Sequence, residues 1–257
     1  MVRGLGTFKR YFKEFQENYI IIGGTACDIV IDAAGFSPRA TQDIDIILIV
    51  EAISPDFVAQ FWRFIIAGNY KRAENNESEH KYYRFKDPAL ADFPKQIELF
   101  SRMPDLLNSQ ERTHLVPIPI DEDLSSLSAI LMNEDYYNYT RAHCTKLDDL
   151  HWANTEALIC LKAKAHIDMI ERREKGERVE EKNIKKHKGD VFRLMAILPG
   201  NANFELPESI RTDMLHFVDV VKGDLPDKAI FKEMRMGPIN PETIYQQLIK
   251  NFRLGDI

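Results

Sequence analysis

Two aspartates set one residue apart, Asp43-Ile44-Asp45, are the residues whose spacing most directly implies chemistry. They open an apolar run that continues through Ile46-Ile47-Leu48-Ile49-Val50 and reads as a strand. On a strand, residues two apart share a face and lie roughly 7 Å apart along the chain at ~3.3 Å per residue. Two carboxylates brought within about 4 Å repel by about 4 kcal/mol at an effective dielectric of ~20, so a cation is expected to compensate. Magnesium suits carboxylate oxygens, and a pair of ions ~3.5–4 Å apart is the usual arrangement for phosphoryl chemistry. The plainer alternative is that one aspartate caps the strand and the other faces water. A third acid, Glu98, sits between apolar neighbours in Ile97-Glu98-Leu99-Phe100. It either points outward or lies beside the first pair on a neighbouring strand. Gly23-Gly24-Thr25 follows the apolar run Tyr19–Ile22. Two glycines between a strand and a helix let backbone N–H groups approach an anion such as phosphate, although such a pair also serves as a plain tight turn.

The elements that must position these groups are legible from periodicity. Phe8, Tyr11, Phe12 and Phe15 predict an amphipathic helix over 7–17. Strands are expected at 19–22, 43–50, 81–86, 95–100 and 114–120, with helices from Thr25 to about Ala34 and over 55–68. Beyond about residue 121 the texture turns helical, with segments near 123–142, 155–174, 180–198, 207–222, 226–235 and 241–252. Prolines 199, 207, 226, 238 and 241 punctuate them. The expected architecture is α+β: a mixed sheet with flanking helices over 1–120, then a mainly helical domain over 121–257 that closes a cleft. The boundary falls between 121 and 155.

Taken together, the glycine turn, the Asp-x-Asp strand and a later acidic strand fit a phosphate cradle facing a metal site. Residues 22–46, IGGTACDIVIDAAGFSPRATQDIDI, resemble the signature of the AbiEii-type nucleotidyltransferases. That signature runs Gly-Gly-Thr/Ser, then Arg-x-Thr-x-Asp-hydrophobic-Asp. These proteins are the toxin components of abortive-infection and type IV toxin–antitoxin systems. Arg39 and Thr41 take the family's positions before the acids. Residues 156–165, EALICLKAKA, resemble the family's Glu-x-Leu-Leu-x-x-Lys-x-x-Ala helix and place Lys162 on its lysine. The segment Lys188–Leu194 is similar to the Lys/Arg-Asp-Leu-Tyr-Asp-Leu motif, with Asp190 on the first aspartate and Arg193 replacing the second. The family often has Asp where Glu98 stands.

The resemblance implies two Mg²⁺ ions held by Asp43, Asp45 and Glu98, with Glu98 helping to deprotonate the attacking hydroxyl. It implies that Gly23, Gly24 and Thr25 hold the phosphates of a nucleoside triphosphate, whose charge Lys162 and Arg39 offset. Asp190 joins Asp43, Asp45, Glu98 and Lys162 as a catalytic candidate. The implied activity is transfer of a nucleotidyl group to an acceptor such as the end of a tRNA, with a cognate antitoxin as partner. A small-molecule nucleotidyltransferase of the antibiotic-modifying kind and a catalytically silent nucleotide-binding protein are the alternatives.

Composition bounds these readings. A net charge of −6 argues against a protein that coats nucleic acid over its whole surface. A run rich in Lys and Arg between Lys162 and Arg193 still offers either a local docking face for RNA or a pair of solvated helices. No apolar run approaches the ~20 residues needed to span a bilayer, and MVRGLGTFKRYFKEF lacks the apolar stretch of a secretion signal, so no membrane and a cytoplasmic location are expected. Cys27, Cys144 and Cys160 lack CxxC spacing and suggest neither a disulfide framework nor structural zinc. Cys144 has only the adjacent His143 as a base within the sequence, and neighbours rarely form a catalytic pair. Tyr82, Tyr83 and Phe85, like Tyr136, Tyr137 and Tyr139, are read as core before base-stacking residues. His166 is read as a satisfied helix residue, and Lys162 borders an apolar stripe that either aims it inward or lets it snorkel to solvent.

Overall fold

Four strands from the first hundred residues and a later hairpin assemble one mixed sheet. In a computed structural model that describes residues 2–71, 82–100 and 133–255, the strands are β1 (Tyr19–Ile22), β2 (Asp43–Leu48), β3 (Tyr82–Lys86), β4 (Gln96–Phe100), β5 (Cys144–Leu147) and β6 (Leu150–Ala153). Their order is β3-β4-β2-β1-β6-β5. The pairs β1/β2, β3/β4 and β5/β6 are antiparallel, whereas β2/β4 and β1/β6 are parallel. The strand expected at 114–120 lies outside the described residues.

The chain divides into two compact units, and the division is not a single cut near residue 120. Residues 2–28, 40–71, 82–100 and 144–153 form one unit, which contains the whole sheet; 29–39, 133–143 and 154–255 form the other. The β5–β6 hairpin was not expected, because residues beyond 121 read as helical. Its strands are four residues each, too short for a period to show. They are joined at Asp148-Asp149, whose φ angles of 51° and 58° give the doubly left-handed turn that matches strand twist.

In the sheet unit, α1 (Leu5–Phe12) and α3 (Pro55–Gly68) cover the sheet through aromatic side chains. Phe8, Phe12, Phe57, Phe61 and Phe64 are fully buried, and Phe8 meets Tyr19 and Phe64 edge-on at 5.2 and 5.9 Å. Edge contacts of this kind add ~0.5–1.5 kcal/mol each beyond the area they bury. The first helix is shorter than its periodicity predicts. It ends at Phe12, and a 3₁₀ segment over Lys13–Asn18 breaks the pattern at Phe15 (φ −120°, ψ 23°). The α3 start is fixed by Ser54, whose hydroxyl accepts from Phe57 N–H, and by Pro55 in the first turn. Phe85, 5 % exposed, packs on Phe61 and Trp62 at 5.6 and 5.8 Å and belongs to the core. The helix α2 (Gly23–Ala33) starts directly from β1.

The second unit is helical: α4 (Glu134–Ala142), α5 (Thr155–Glu174), α6 (Glu181–Ile197), α7 (Glu208–Val221), α8 (Ala229–Glu233) and α9 (Pro241–Asn251). Residues 123–132 of the expected 123–142 helix lie outside the described residues. Apolar residues of α5, α6 and α7, among them Leu158, Phe192, Leu194 and Phe217, form its core. Tyr136 and Tyr137 are buried there, and the Tyr136 hydroxyl donates to Asp213 at 3.0 Å. Among the described residues no helix is long and apolar enough to cross a membrane.

His166 is a core residue, as its helical context suggested. It is 3 % exposed, donates from Nδ1 to the Ile184 carbonyl at 2.9 Å, and meets Phe217 edge-on at 5.4 Å. Burial pushes its pKa down to about 4; the Ile184 carbonyl opposes that shift and the Lys188 charge adds to it. The unfolded chain therefore takes up this proton below about 6.5 while the folded chain does not. Stability should fall by ~1.4 kcal/mol per pH unit from this group between about 6.5 and 4. Denaturant titrations across that window should show a shallower acid limb for His166→Gln than for the natural chain.

Candidate active site

The site grows from register. Asp45 lies opposite Ile22 of β1 on one side and Glu98 of β4 on the other, and Glu98 in turn lies opposite Arg84 of β3. Paired residues in adjacent strands point to the same face, so Asp45, Glu98 and Arg84 form one transverse row. Asp43, two residues before Asp45, shares that face and lies opposite Gln96. Asp43 and Asp45 are half-buried, while Ile44, Ile46 and Leu48 are fully buried on or beside the same strand. The alternation that predicted a two-carboxylate face is therefore present, and Glu98 belongs beside the pair rather than pointing away.

Glu98 is 8 % exposed. Its Oε1 lies 2.9 Å from Arg84 Nε and also accepts from Gln96 Nε2. Even with that cation beside it, its pKa is raised to about 8, first by burial and then by the charge of Asp45; Arg84 opposes the rise and Asp43 adds to it. The row thus carries more negative charge than one guanidinium offsets. Among the described residues no group of three His, Cys, Asp or Glu side chains is gathered closely enough to hold a metal ion. What the register supplies is a pair of aspartates on one face and a neighbouring glutamate already engaged by Arg84. The pair, being oxygen donors in electrostatic excess, fits a hard divalent cation.

The glycine corner is built under this row. Gly23 adopts φ 65°, and a Cβ there would stand 1.8 Å from Asp45 Oδ2. Only glycine permits both the left-handed backbone and this close approach. A Cβ on Gly24 would meet the Thr41 side chain at 2.9 Å. Thr25 was expected to touch phosphate, but it is fully buried and its hydroxyl donates to the Asp43 carbonyl at 2.5 Å. Its side chain therefore ties the helix start to the acidic strand. Asp28, also buried, accepts from Thr41 N–H at 2.6 Å and anchors the approach to β2.

The other predicted residues meet in the helical unit. Asp190 is 2 % exposed, with Arg39 Nη2 at 2.9 Å, Arg193 Nη1 at 3.4 Å and Lys162 Nζ at 3.6 Å. Arg193 also reaches the exposed Glu233 at 2.8 Å. Lys162 is aimed inward, so the snorkelling alternative does not hold. Three cations, Arg39, Lys162 and Arg193, converge on the buried Asp190. Arg193, where the resembled motif has aspartate, is part of this cluster rather than a packing residue.

Sequence reasoning missed Arg84, Gln96, Asp28 and the pairing of Arg193. Only Arg84 carried a signal: a charged residue between aromatics in Tyr83-Arg84-Phe85 mirrors the lone acid of Ile97-Glu98-Leu99 on the next strand. The Asp28 contact and the Arg193–Glu233 pair join separated parts of the chain, whereas Gln96 lies two residues from Glu98 and Arg193 three residues from Asp190.

No protein-family model matches the chain. No curated protein sequence matches it either. Among solved structures, an antigenic nucleotidyltransferase-like protein from Paracoccidioides brasiliensis is similar at 16% identity and a TM-score of 0.41, over 89% of this chain and 97% of that one. That likeness is loose and carries no part of the argument for function.

Proposed function

We propose that this chain is a divalent-metal-dependent nucleotidyltransferase that moves a nucleotidyl group from a nucleoside triphosphate to an RNA acceptor, in the manner of a toxin with a cognate antitoxin. The observation that carries the reading is the row Asp45–Glu98, with Asp43 on the same face and Gly23 packed against the Asp45 carboxylate. Asp43 and Asp45 are the residues that would hold the metal. Divalent ions in such a site lower the pKa of an acceptor hydroxyl and stabilise a departing pyrophosphate.

The chain's own groups have separable tasks. The first-turn N–H groups of α2 have no intrahelical partners and favour phosphate oxygens. Gly23 allows the turn that presents them, and Thr25 fixes that turn to Asp43. Glu98, whose pKa is raised to about 8, is the candidate base for the acceptor hydroxyl once it has itself ionised, and Arg84 with Gln96 orients it. In the helical unit, Arg39, Lys162 and Arg193 around Asp190 suit a phosphate group. Arg173, Lys175, Arg178 and Lys186 are exposed around the turn between α5 and α6, interspersed with exposed Glu174, Glu177, Glu180 and Glu181, and are the groups proposed to meet an RNA acceptor.

Incubation with each labelled triphosphate, Mg²⁺ and total cellular RNA tests the reading. Label is expected in RNA, with a yield that falls steeply as salt is added. Label that stays out of RNA, with every triphosphate tried, overturns the RNA acceptor; absence of transfer to any acceptor overturns the enzyme.

A further inference from the structure

Outside the acidic row, the β5–β6 hairpin brings together a thiol and an imidazole that the sequence keeps seven residues apart. Cys144 lies opposite Ala153 and Lys146 opposite His151, so Cys144 and His151 are diagonal neighbours on one face. His151 Nε2 lies 2.9 Å from Cys144 Sγ. His151 Nδ1 lies 2.8 Å from the Gln16 carbonyl oxygen, which can only accept. The ring proton is therefore on Nδ1, and Nε2 presents its lone pair to the thiol. The imidazole is 2 % exposed and cannot swing away, while Cys144 is half-exposed. A nucleophile, a base and a third group that orients the base are thus in place, and this is the arrangement that activates thiols elsewhere.

We infer that Cys144 is an activated thiol that exchanges with low-molecular-weight disulfides, with His151 as its base. In this step Cys144 Sγ attacks one sulfur of the incoming disulfide as its proton passes to His151 Nε2. A new S–S bond forms at Cys144 and the incoming S–S bond breaks. The departing thiolate then takes the proton back from His151. One disulfide replaces another, so no further oxidant is required.

The surroundings suit this use. Burial lowers the pKa of His151; the Gln16 carbonyl opposes that, and Lys146, Glu17 and the Tyr19 backbone are the other groups that act on it. The imidazole is therefore neutral at physiological pH, with Nε2 facing the thiol. Lys146 pairs with Glu17, so the ammonium sits beside the hairpin face without crowding the imidazole with unbalanced charge. Cys27 and Cys160 are 2 % and 1 % exposed, which leaves Cys144 as the cysteine that a reagent reaches in the folded chain.

The test uses the full chain, folded, with dithiobis(nitrobenzoate) for rates and oxidised glutathione for product. One fast-reacting thiol is expected, mapped by peptide mass to Cys144 and lost in Cys144→Ser, with glutathione on the same residue. His151→Asn should slow the reaction at neutral pH by about tenfold or more. The natural chain should lose far less rate between pH 8 and pH 7 than a free thiol, which loses nearly tenfold because only its thiolate attacks. A free-thiol pH profile for Cys144 overturns the inference even where the His151 variant fails to fold. So does a His151→Asn chain, folded by circular dichroism, that reacts as fast as the parent, or a fast thiol that maps to another cysteine.

Discussion

Asp45→Asn should lower nucleotidyl transfer by about 10³-fold while leaving the unfolding midpoint unchanged or slightly raised. Under the proposed function, the rate loss follows from removing one of two charges that would hold a cation at the reacting phosphate, where electrostatic stabilisation of a transition state is worth ~10²–10³ per group or more. The unchanged midpoint follows from the same geometry. Asp45 is the neighbouring charge that contributes most to the raised pKa of Glu98, so making it neutral relieves a repulsion inside the row. Asparagine keeps the size and shape of the side chain, and Gly23 beneath it needs no adjustment. Steady-state label transfer and thermal denaturation, measured on one preparation, check the two halves. A large fall in midpoint would mean that the aspartate is structural.

Gly23→Ala should damage both stability and activity, and for two separable reasons. The backbone at φ 65° costs an L-residue ~1–2 kcal/mol. The added methyl must also displace Asp45, since its Cβ would overlap Oδ2 at 1.8 Å. Transfer should fall by about 10²-fold or more, because a carboxylate moved by about 1 Å no longer holds its ligand in line. Adding Asp45→Ala to Gly23→Ala should recover part of the lost stability and none of the activity, as the clash disappears while the backbone strain remains. Additive stability losses in that double-mutant cycle would mean that the two residues do not touch.

How far the sequence carried this account depends on the range over which each feature is encoded. Asp43 and Asp45 share a face because strand alternation is local, and the run from Asp43 to Leu48 shows it directly. Gly23 between an apolar strand and a helix is a local feature as well. Glu98 was legible as an acid among apolar residues, but its place beside Asp45 is a matter of register between parallel strands fifty residues apart, which no local pattern fixes. Its partner Arg84 is non-local for the same reason, whereas Gln96 is two residues away on the same strand. The hairpin over Cys144–Ala153 went unread because four-residue strands with a pair of aspartates between them resemble a loop inside a helical region. With it went the pairing of Cys144 to His151, and adjacent His143 drew attention instead. That residue pairs with Glu156 at 2.9 Å. The Thr25 hydroxyl could not be placed from sequence, because a hydroxyl at a helix start has two uses, toward an outside ligand or toward the neighbouring strand, and only the fold decides between them.

The most direct test of the central claim is binding of Mn²⁺, followed by electron spin resonance with and without nucleoside triphosphate. The natural chain should bind the ion, and bind it more tightly with the triphosphate present. The double variant Asp43→Asn, Asp45→Asn should lose that binding while remaining folded. Equal Mn²⁺ affinity in both chains would contradict the assignment of these two carboxylates.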